Sequence, residues 1–319
     1  MTNTPKLTKI QKGRLKILEP QLIKAVNEKD LKSALNVVSD IQGMLKPTGQ
    51  ITKLIQYKNW LFELALDLED YSLAEQGFIG NRKLVNKNTR IYLEATALLS
   101  ICYLRTNQYE KSKPLISEVL KNDKVIKTER TRHIFKKTII ERFDEEMSLY
   151  SIREENFKPQ FDIDQIQNEA GILIATKTDE DIFKYLGSSV PQRTKDLLFD
   201  IDNFSKNQLT YDERKLLPSP SEIIKDESTG KTLFSSLKRV IYNSICDPNS
   251  EIYKAWYTNG LSVVLDKKYI TGAVIASLTT LGIGLKALAI SAVAIIIKLG
   301  LEVYCEYYKP VGIMESRKL

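Results

Sequence analysis

Few residues of this 319-residue chain have the type and spacing of a catalytic or metal site. The segment 228–232 reads STGKT, like the end of a phosphate-binding loop, but Lys225 stands where that motif needs a glycine five residues before Gly230. Without this glycine and a preceding buried strand, a loop cannot wrap its backbone amides around phosphates. We therefore favour a turn here, with Gly230 supplying a left-handed backbone conformation.

The other titratable residues also argue against a catalytic or metal site. His133 is the only histidine of the sequence, so a Ser-His-Asp triad or a histidine-based zinc site cannot be assembled in the usual way. We expect His133 on the surface, since it lies among Lys and Arg, and we expect the carboxylates of Glu145 and Glu146 to be solvated. The sequence predicts a non-enzymatic protein without catalytic residues, cofactor or metal.

Positive charge is concentrated at the beginning of the chain. The net charge is +7, and residues 1–60 carry this whole excess with eleven basic and four acidic side chains. A basic face can bind nucleic acid, anionic lipid or an acidic partner, or it can simply be solvated. Nucleic acid is not favoured, because no arginine-rich run, interleaved aromatics or zinc spacing accompanies the charge.

Composition predicts a mainly α, cytoplasmic protein. Only 14 Gly and 10 Pro in 319 residues argue against a turn-rich all-β fold. The cysteines Cys102, Cys246 and Cys305 are too few and too scattered for a disulfide framework. The N-terminal residues lack the apolar core of a signal peptide. Abundant Lys, Ile, Asn and Tyr are typical of a bacterial protein.

The first half of the chain shows helical periodicity with few breakers. Residues 60–70 and 90–105 place apolar side chains at three- and four-residue steps, each followed by a polar turn and a second helix. Three turns are similar, NEKDLKSAL, LEDYSLAEQ and TNQYEKSKP, and their small residues Ala34, Ala74 and Ser112 are 40 and 38 residues apart. Helix–turn–helix units with such a period are typical of an α-solenoid.

The third unit has an ordered set of packing positions. Its first helix presents a large apolar, a small and an aromatic residue, and its second helix an aromatic, a small and a large apolar residue. Small residues let two helices approach closely, and aromatic side chains fill the gap between them. In order, these residues are Leu99, Ser100, Tyr103, Tyr109, Ser112 and Ile116. The second unit keeps Leu61, Tyr71, Ala74 and Phe78.

This pattern resembles the tetratricopeptide repeat over roughly residues 15–150. The array is divergent: Phe62 stands where a small residue is usual, the first unit keeps only Leu31, Ala34 and Val38, and the period exceeds the usual 34 residues. The resemblance implies a superhelical scaffold whose groove binds a peptide or protein partner. The alternative is a helical bundle that merely supports the rest of the chain.

The composition changes after the repeat. Residues 151–235 contain polar linker sequence, a short apolar run (GILIA) that fits either a strand or a helix start, and a turn-rich stretch with two prolines. We predict a repeat domain at residues 1–150, an intermediate region at 151–235 and a C-terminal helical domain at 236–319.

An apolar block in the last fifty residues sets the main question. Between residues 269 and 301 only Lys286 and Lys298 are charged. Gly282 and Gly284, together with Lys286, predict the turn of a helical hairpin at residues 269–303. Small residues at Gly272, Ala276 and Ala292 would allow close helix contact, as in membrane bundles.

Two environments suit this hairpin, and the sequence does not choose between them. Its first part has seventeen uncharged residues, which is marginal against the roughly 20 apolar residues of a membrane span. Basic residues follow and precede the block, so both ends would stay on the cytoplasmic side. A fully buried core helix is equally apolar on all faces. A third possibility combines the two environments: the hairpin is hidden in the soluble form and released on activation.

Three functional hypotheses follow. In the first, a bacterial sensor and effector binds a protein partner through its repeat and then inserts its hairpin at the inner membrane, a layout similar to antiviral or toxin effectors. In the second, a soluble adaptor of a multiprotein complex uses the apolar block as core or interface. In the third, the basic N-terminus serves a nucleic-acid-associated subunit. The oligomeric state stays open.

Overall fold

A computed structural model describes residues 6–153, 161–196, 198–199, 226–248, 250, 253–254 and 267–318. These residues are mainly α-helical and include no strand, which confirms the predicted mainly α class. The chain divides into two compact units, Met1–Ile140 with Val311–Leu319 (unit 1) and Glu141–Pro310 (unit 2). The domain boundaries expected near residues 150 and 235 stay predictions, and much of the intermediate region lies outside the described residues.

Unit 1 contains a succession of helical hairpins. α1 packs on α2, α3 on α4 and α5 on α6, and each pair packs on the next; the first helices of neighbouring pairs also touch. The helices are α1 (Lys9–Asn27), α2 (Leu31–Leu45), α3 (Ile51–Asp67), α4 (Tyr71–Leu84), α5 (Arg90–Arg105) and α6 (Tyr109–Lys121), followed by a 3₁₀ turn (Asp123–Val125). α7 (Glu129–Ser151) begins in unit 1 and ends in unit 2.

One turn geometry closes all three hairpins of unit 1. Lys29, Glu69 and Asn107 each have a positive φ, between 54° and 63°. In each turn the next residue donates its backbone N–H five residues back, to the carbonyl of Ala25, Ala65 or Tyr103, at 2.7–2.9 Å. This left-handed residue with a long backward hydrogen bond is a common helix ending. The same geometry therefore recurs at the 40- and 38-residue steps of the sequence pattern.

α3 and α4 pack closely because a large side chain of α3 faces a glycine of α4. Phe62 of α3 lies over Gly77 of α4, where an added Cβ would overlap the phenyl ring. The ring of Phe62 also makes an edge contact with Phe78, at 6.0 Å between centroids. The small residue that the second unit lacks on its first helix is thus supplied by its second helix.

Unit 2 is built around one apolar helix. Its helices after α7 are α8 (Ile163–Thr176), α9 (Asp179–Ser188), α10 (Asp226–Ile245), α11 (Lys267–Thr280), α12 (Lys286–Leu299) and α13 (Leu301–Tyr307). The apolar run whose state the sequence left open, GILIA, lies in α8. α12 packs against α8, α9, α11 and α13, and its residues 287–296 are all buried. Amphipathic neighbours therefore separate this helix from water.

A disulfide between Cys246 and Cys305 joins the end of α10 to α13 within unit 2. The two cysteines are 59 residues apart in sequence. Cys246 is buried, and Cys305 packs against the core of the unit. A single disulfide is not the framework of several bonds that the cysteine count spoke against, and the sequence did not predict it. The third cysteine, Cys102, is free and fully buried in α5.

Candidate functional site

The STGKT segment lies inside a helix, so the turn expected there is wrong. α10 begins at Asp226 and continues through Gly230. A Cβ added at Gly230 would overlap the carbonyl oxygen of Phe183 in α9, and one added at Gly187 would overlap that of Asp226. The glycines thus let two helices cross with their backbones in contact. This segment serves packing and forms no loop around a phosphate.

The expectation of solvated carboxylates is wrong for Glu146. Its side chain is 2% exposed and forms a 2.7 Å ion pair with Arg142, one turn earlier on α7. Arg142 also pairs with Glu145 at 3.2 Å. The nearby guanidinium compensates the loss of hydration and so allows burial. His133 is exposed, and no group of three or more potential metal ligands occurs among the described residues.

An open cleft of about 410 Å³ in unit 2 is polar but lacks a catalytic arrangement. Burial lowers the pKa of Lys238, which the carboxylate of Glu145 opposes, and its ammonium lies 4.5 Å from the ring centre of Tyr308. Neither Ser235 nor Ser236 of the cleft hydrogen-bonds to Lys238 in the described part of the chain. We therefore assign no reaction to it. Its lining is Glu141, Asp144, Glu145, Thr232, Ser235, Ser236 and Lys238.

The predicted repeat-packing residues lie at helix–helix contacts of unit 1. The hydroxyl of Ser112 on α6 donates a 2.9 Å hydrogen bond to the backbone carbonyl of Ser100 on α5, so the two helices touch at these small residues. Tyr71, Tyr103 and Tyr109 are partly buried. The fully or nearly fully buried members are Leu61, Ala74, Phe78, Leu99, Ser100, Ser112 and Ile116.

The most specific polar contacts of unit 1 hold the end of the chain. The carboxylate of Glu63, on α3 and 8% exposed, accepts hydrogen bonds from the backbone N–H groups of Ile313 at 2.6 Å and Met314 at 3.0 Å. Both side chains of this dipeptide are buried. An added Cβ at Gly312 would lie 3.1 Å from either carboxylate oxygen, so glycine permits the close approach. Glu63 thus binds the backbone of an incoming segment.

A second buried carboxylate binds the same segment. Glu94 of α5 is 0% exposed, and its Oε1 accepts from Nε of Arg317 at 2.7 Å and from Nε of Arg90 at 2.8 Å. Glu94 Oε2 and Arg90 Nη2 have no hydrogen-bond partner in the described residues. We call Glu63, Arg90 and Glu94 the tail site and residues 312–317 the tail. Sequence reasoning missed the site, because 250 residues separate Glu63 from Ile313.

The second half of the apolar block, α12, is buried in unit 2, and the lysines of the block are paired at the margins of this helix. Lys286, at the start of α12, pairs with Glu169 at 2.6 Å, and Lys298, near its end, pairs with Asp179 at 2.6 Å. Lys298 also donates to the carbonyl of Lys177 at 3.1 Å. The acids belong to α8 and α9, the helices that cover α12. Among the described residues, the ion pairs of the apolar helix therefore lie at its two ends.

The small residues predicted for the hairpin occupy different environments. Ala292 is 0% exposed at the centre of α12, whereas Ala276 is exposed on α11. A Cβ added at Gly272 would meet no described atom within 4 Å. Gly282 and Gly284 lie between the two helices, and Gly282 has the positive φ of 70° that its helix ending needs. Only part of the predicted small-residue set therefore lies inside the core.

A scan against protein-family models and searches of curated proteins and of solved structures return no match to this chain. Among the described helices, none alone has the length and apolar character of a membrane span. α12 and α13 meet that requirement only when taken together, and a bend of 97° at Gly300 separates them.

Proposed function

We propose that this protein is a non-enzymatic bacterial sensor and effector with a toxin-like or antiviral role. In this proposal, unit 1 is a divergent tetratricopeptide-like array that binds a protein or peptide partner. Unit 2 stores the apolar hairpin of α11 and α12, which passes to the inner membrane when the partner binds. The observation that carries the proposal is α12, whose ten residues 287–296 are buried on every face.

The stored helix suits two environments equally. A helix without a polar face is stable only inside protein or in lipid, because exposure of its apolar side chains to water is unfavourable. The ion pairs of Lys286 and Lys298 are partly exposed, and such pairs contribute about 0–1 kcal/mol each. These end contacts therefore add little to the free-energy barrier for the release of α12. The helix is retained chiefly by apolar packing, which acyl chains can replace.

The bend at Gly300 also supports the proposed transfer to the membrane. If α12 and α13 straightened into one helix over Lys286–Tyr307, its length would be about 33 Å at roughly 1.5 Å per residue. The hydrocarbon core of a bilayer is about 30 Å thick. Gly300 has a φ of 83°, a conformation that glycine adopts and leaves without steric penalty. The bend is thus a suitable hinge for the transition.

The alternative function is an adaptor in a multiprotein complex. Its supporting observation is the same burial of α12, since a helix already covered by α8, α9 and α11 needs no lipid. In this case the apolar block is the core of unit 2, and only unit 1 meets a partner. The two functions differ in one measurable property, the transfer of the apolar block to a bilayer.

Vesicle flotation of point variants distinguishes the two functions. The full-length protein would be mixed with anionic vesicles over a urea series up to the unfolding midpoint of unit 2, so that release needs no natural trigger, and then salt-washed. Ala276→Asp is the test variant, because Ala276 is exposed and the folded unit tolerates a charge there. Ala276→Ser is the matched uncharged control.

The sensor and effector function predicts that wild type and Ala276→Ser float with the vesicles. A carboxylate near the centre of a lipid-inserted segment costs about 3 kcal/mol, so Ala276→Asp should partition about 100-fold less. Equal flotation of the Asp and Ser variants, or a wild-type protein that never floats, would refute the sensor and effector function and favour the adaptor function.

A further inference from the structure

We infer that the tail site of unit 1 is a peptide-binding site and that the chain's own tail is a built-in competitor for it. The partner would present a small residue, two large apolar residues and, three positions later, an arginine. This inference rests on the proposed function in one respect, that unit 1 is where the partner binds. It adds the chemistry of the partner and the means by which binding is regulated.

Glu63 recognises the backbone of the tail rather than its side chains. Its two carboxylate oxygens each accept one of two consecutive N–H groups of the tail. The tail presents both N–H groups on one side because residues 313–314 form a turn that leads into a 3₁₀ helix (Glu315–Lys318). A segment of another protein that forms such a turn offers the same pair, provided that the preceding residue is small enough to let the carboxylate approach, as Gly312 is. The contact therefore accepts a segment from another protein as readily as the tail.

The tail uses only one of the two carboxylate oxygens of Glu94. Arg317 reaches Oε1 through Nε alone, while the fully buried Oε2 accepts no hydrogen bond in the described part of the chain. An arginine that approaches a carboxylate with two parallel N–H groups satisfies both oxygens. A partner whose arginine arrives in that orientation would fill the site better than the tail does.

Covalent attachment makes the tail an effective competitor despite this incomplete fit. The tail and its site belong to one chain, so the tail binds intramolecularly and competes at an effective local concentration rather than at its bulk concentration. A partner must therefore exceed this competition, and its binding releases the chain that follows α13.

Peptide binding to a tail-weakened variant tests the inference. The probe is a fluorescein-labelled peptide of residues 309–318 (KPVGIMESRK), and the readout is fluorescence polarisation with the full-length protein. Gly312→Val weakens the tail in the chain, because a β-branched side chain collides with the Glu63 carboxylate while the tail site itself is unchanged. A second variant, Arg317→Glu, removes the tail's pairing with Glu94 and gives the same readout if Gly312→Val fails to fold.

The expected result is at least a tenfold lower Kd for the peptide with Gly312→Val than with wild type. Adding Glu63→Gln should weaken that binding at least tenfold, whereas adding Glu110→Gln, at an exposed carboxylate of α6, should leave it unchanged. A peptide with Lys in place of its Arg should bind more weakly, because lysine lacks the guanidinium Nε–H through which Arg317 reaches Oε1 of Glu94.

A folded variant that binds the peptide no better than wild type would overturn the inference and make the tail a fixed structural segment. So would a Glu63→Gln substitution without effect. The assay contains no lipid, so this result is independent of the vesicle flotation that tests the effector function.

Discussion

The close crossing of α9 and α10 leads to a prediction whose size follows from the structure. A methyl group at Gly230 would overlap the Phe183 carbonyl oxygen and lie 2.8 Å from its carbon. Non-bonded carbon atoms prefer about 3.5–4.0 Å, so the two helices must separate by roughly 1 Å. The interior positions of this crossing, Ile182, Leu186 and Leu233, are each 0% exposed and would lose contacts.

We expect Gly230→Ala to lower the free energy of unfolding of unit 2 by about 2 kcal/mol. Overpacking of this kind costs about 1–3 kcal/mol or more. The better helix propensity of alanine returns up to about 1 kcal/mol. The measurement is urea unfolding followed by circular dichroism at 222 nm, with nucleotide-induced thermal shifts recorded in parallel.

Gly171→Ala is the matched control for this prediction. Gly171 lies within α8 and has no atom within 4 Å of an added Cβ, so its replacement should stabilise unit 2 by about 0.5–1 kcal/mol. Opposite signs at two helical glycines would identify packing as the cause. If Gly230→Ala is as stable as Gly171→Ala, the close crossing is refuted. If nucleotide stabilises wild type but not Gly230→Ala, STGKT binds phosphate after all.

Two further predictions concern the cysteines. Burial raises the pKa of the Cys102 thiol to about 12 from 9.0, so the unfolded chain loses this proton first and stability should fall between pH 9 and 12 by up to about 1.4 kcal/mol per pH unit. Cys102→Ala should flatten that decline in urea unfolding series at increasing pH, and parallel curves for the two proteins would contradict it. Cys305→Ser should lower the stability of unit 2 by up to about 4 kcal/mol, the loop-closure value for a 59-residue separation. Wild type treated with reductant should show the same loss, and an unchanged unfolding midpoint would argue against the bond.

Local sequence signals predicted the helices well where periodicity and turn chemistry agreed. The segment 90–105 was expected to be helical and forms α5, whose N-cap Thr89 accepts a hydrogen bond from the backbone of Tyr92. The failed expectations involve contacts between distant segments. The STGKT segment contains turn-forming residues, yet Gly230 is needed for a crossing with α9 that the local sequence does not reveal. Glu146 appeared solvated because its burial depends on tertiary packing.

The tail site shows why the rest of the candidate site was not predicted. Glu63 and Glu94 lie in helical segments whose period places them near apolar residues, but nothing local indicates that they face another part of the chain. Their partners lie 250 and 223 residues away. The available signal was two acids within otherwise apolar helical segments, since buried acids need compensating donors. The segment GIMESRKL contains such donors, but the sequence alone does not show which acids they pair with.

The disulfide also decides how a pull on the tail would travel through unit 2. Tension applied at Val311 runs back along the chain to Cys305, and from there the covalent bond carries it directly to Cys246 at the end of α10. The 58 residues between the two cysteines, which include α11 and α12, then lie outside the path of the tension. After reduction, the same tension passes through α13 into Gly300 and the apolar helix. Oxidation state would therefore determine whether the tail and the apolar helix are mechanically connected.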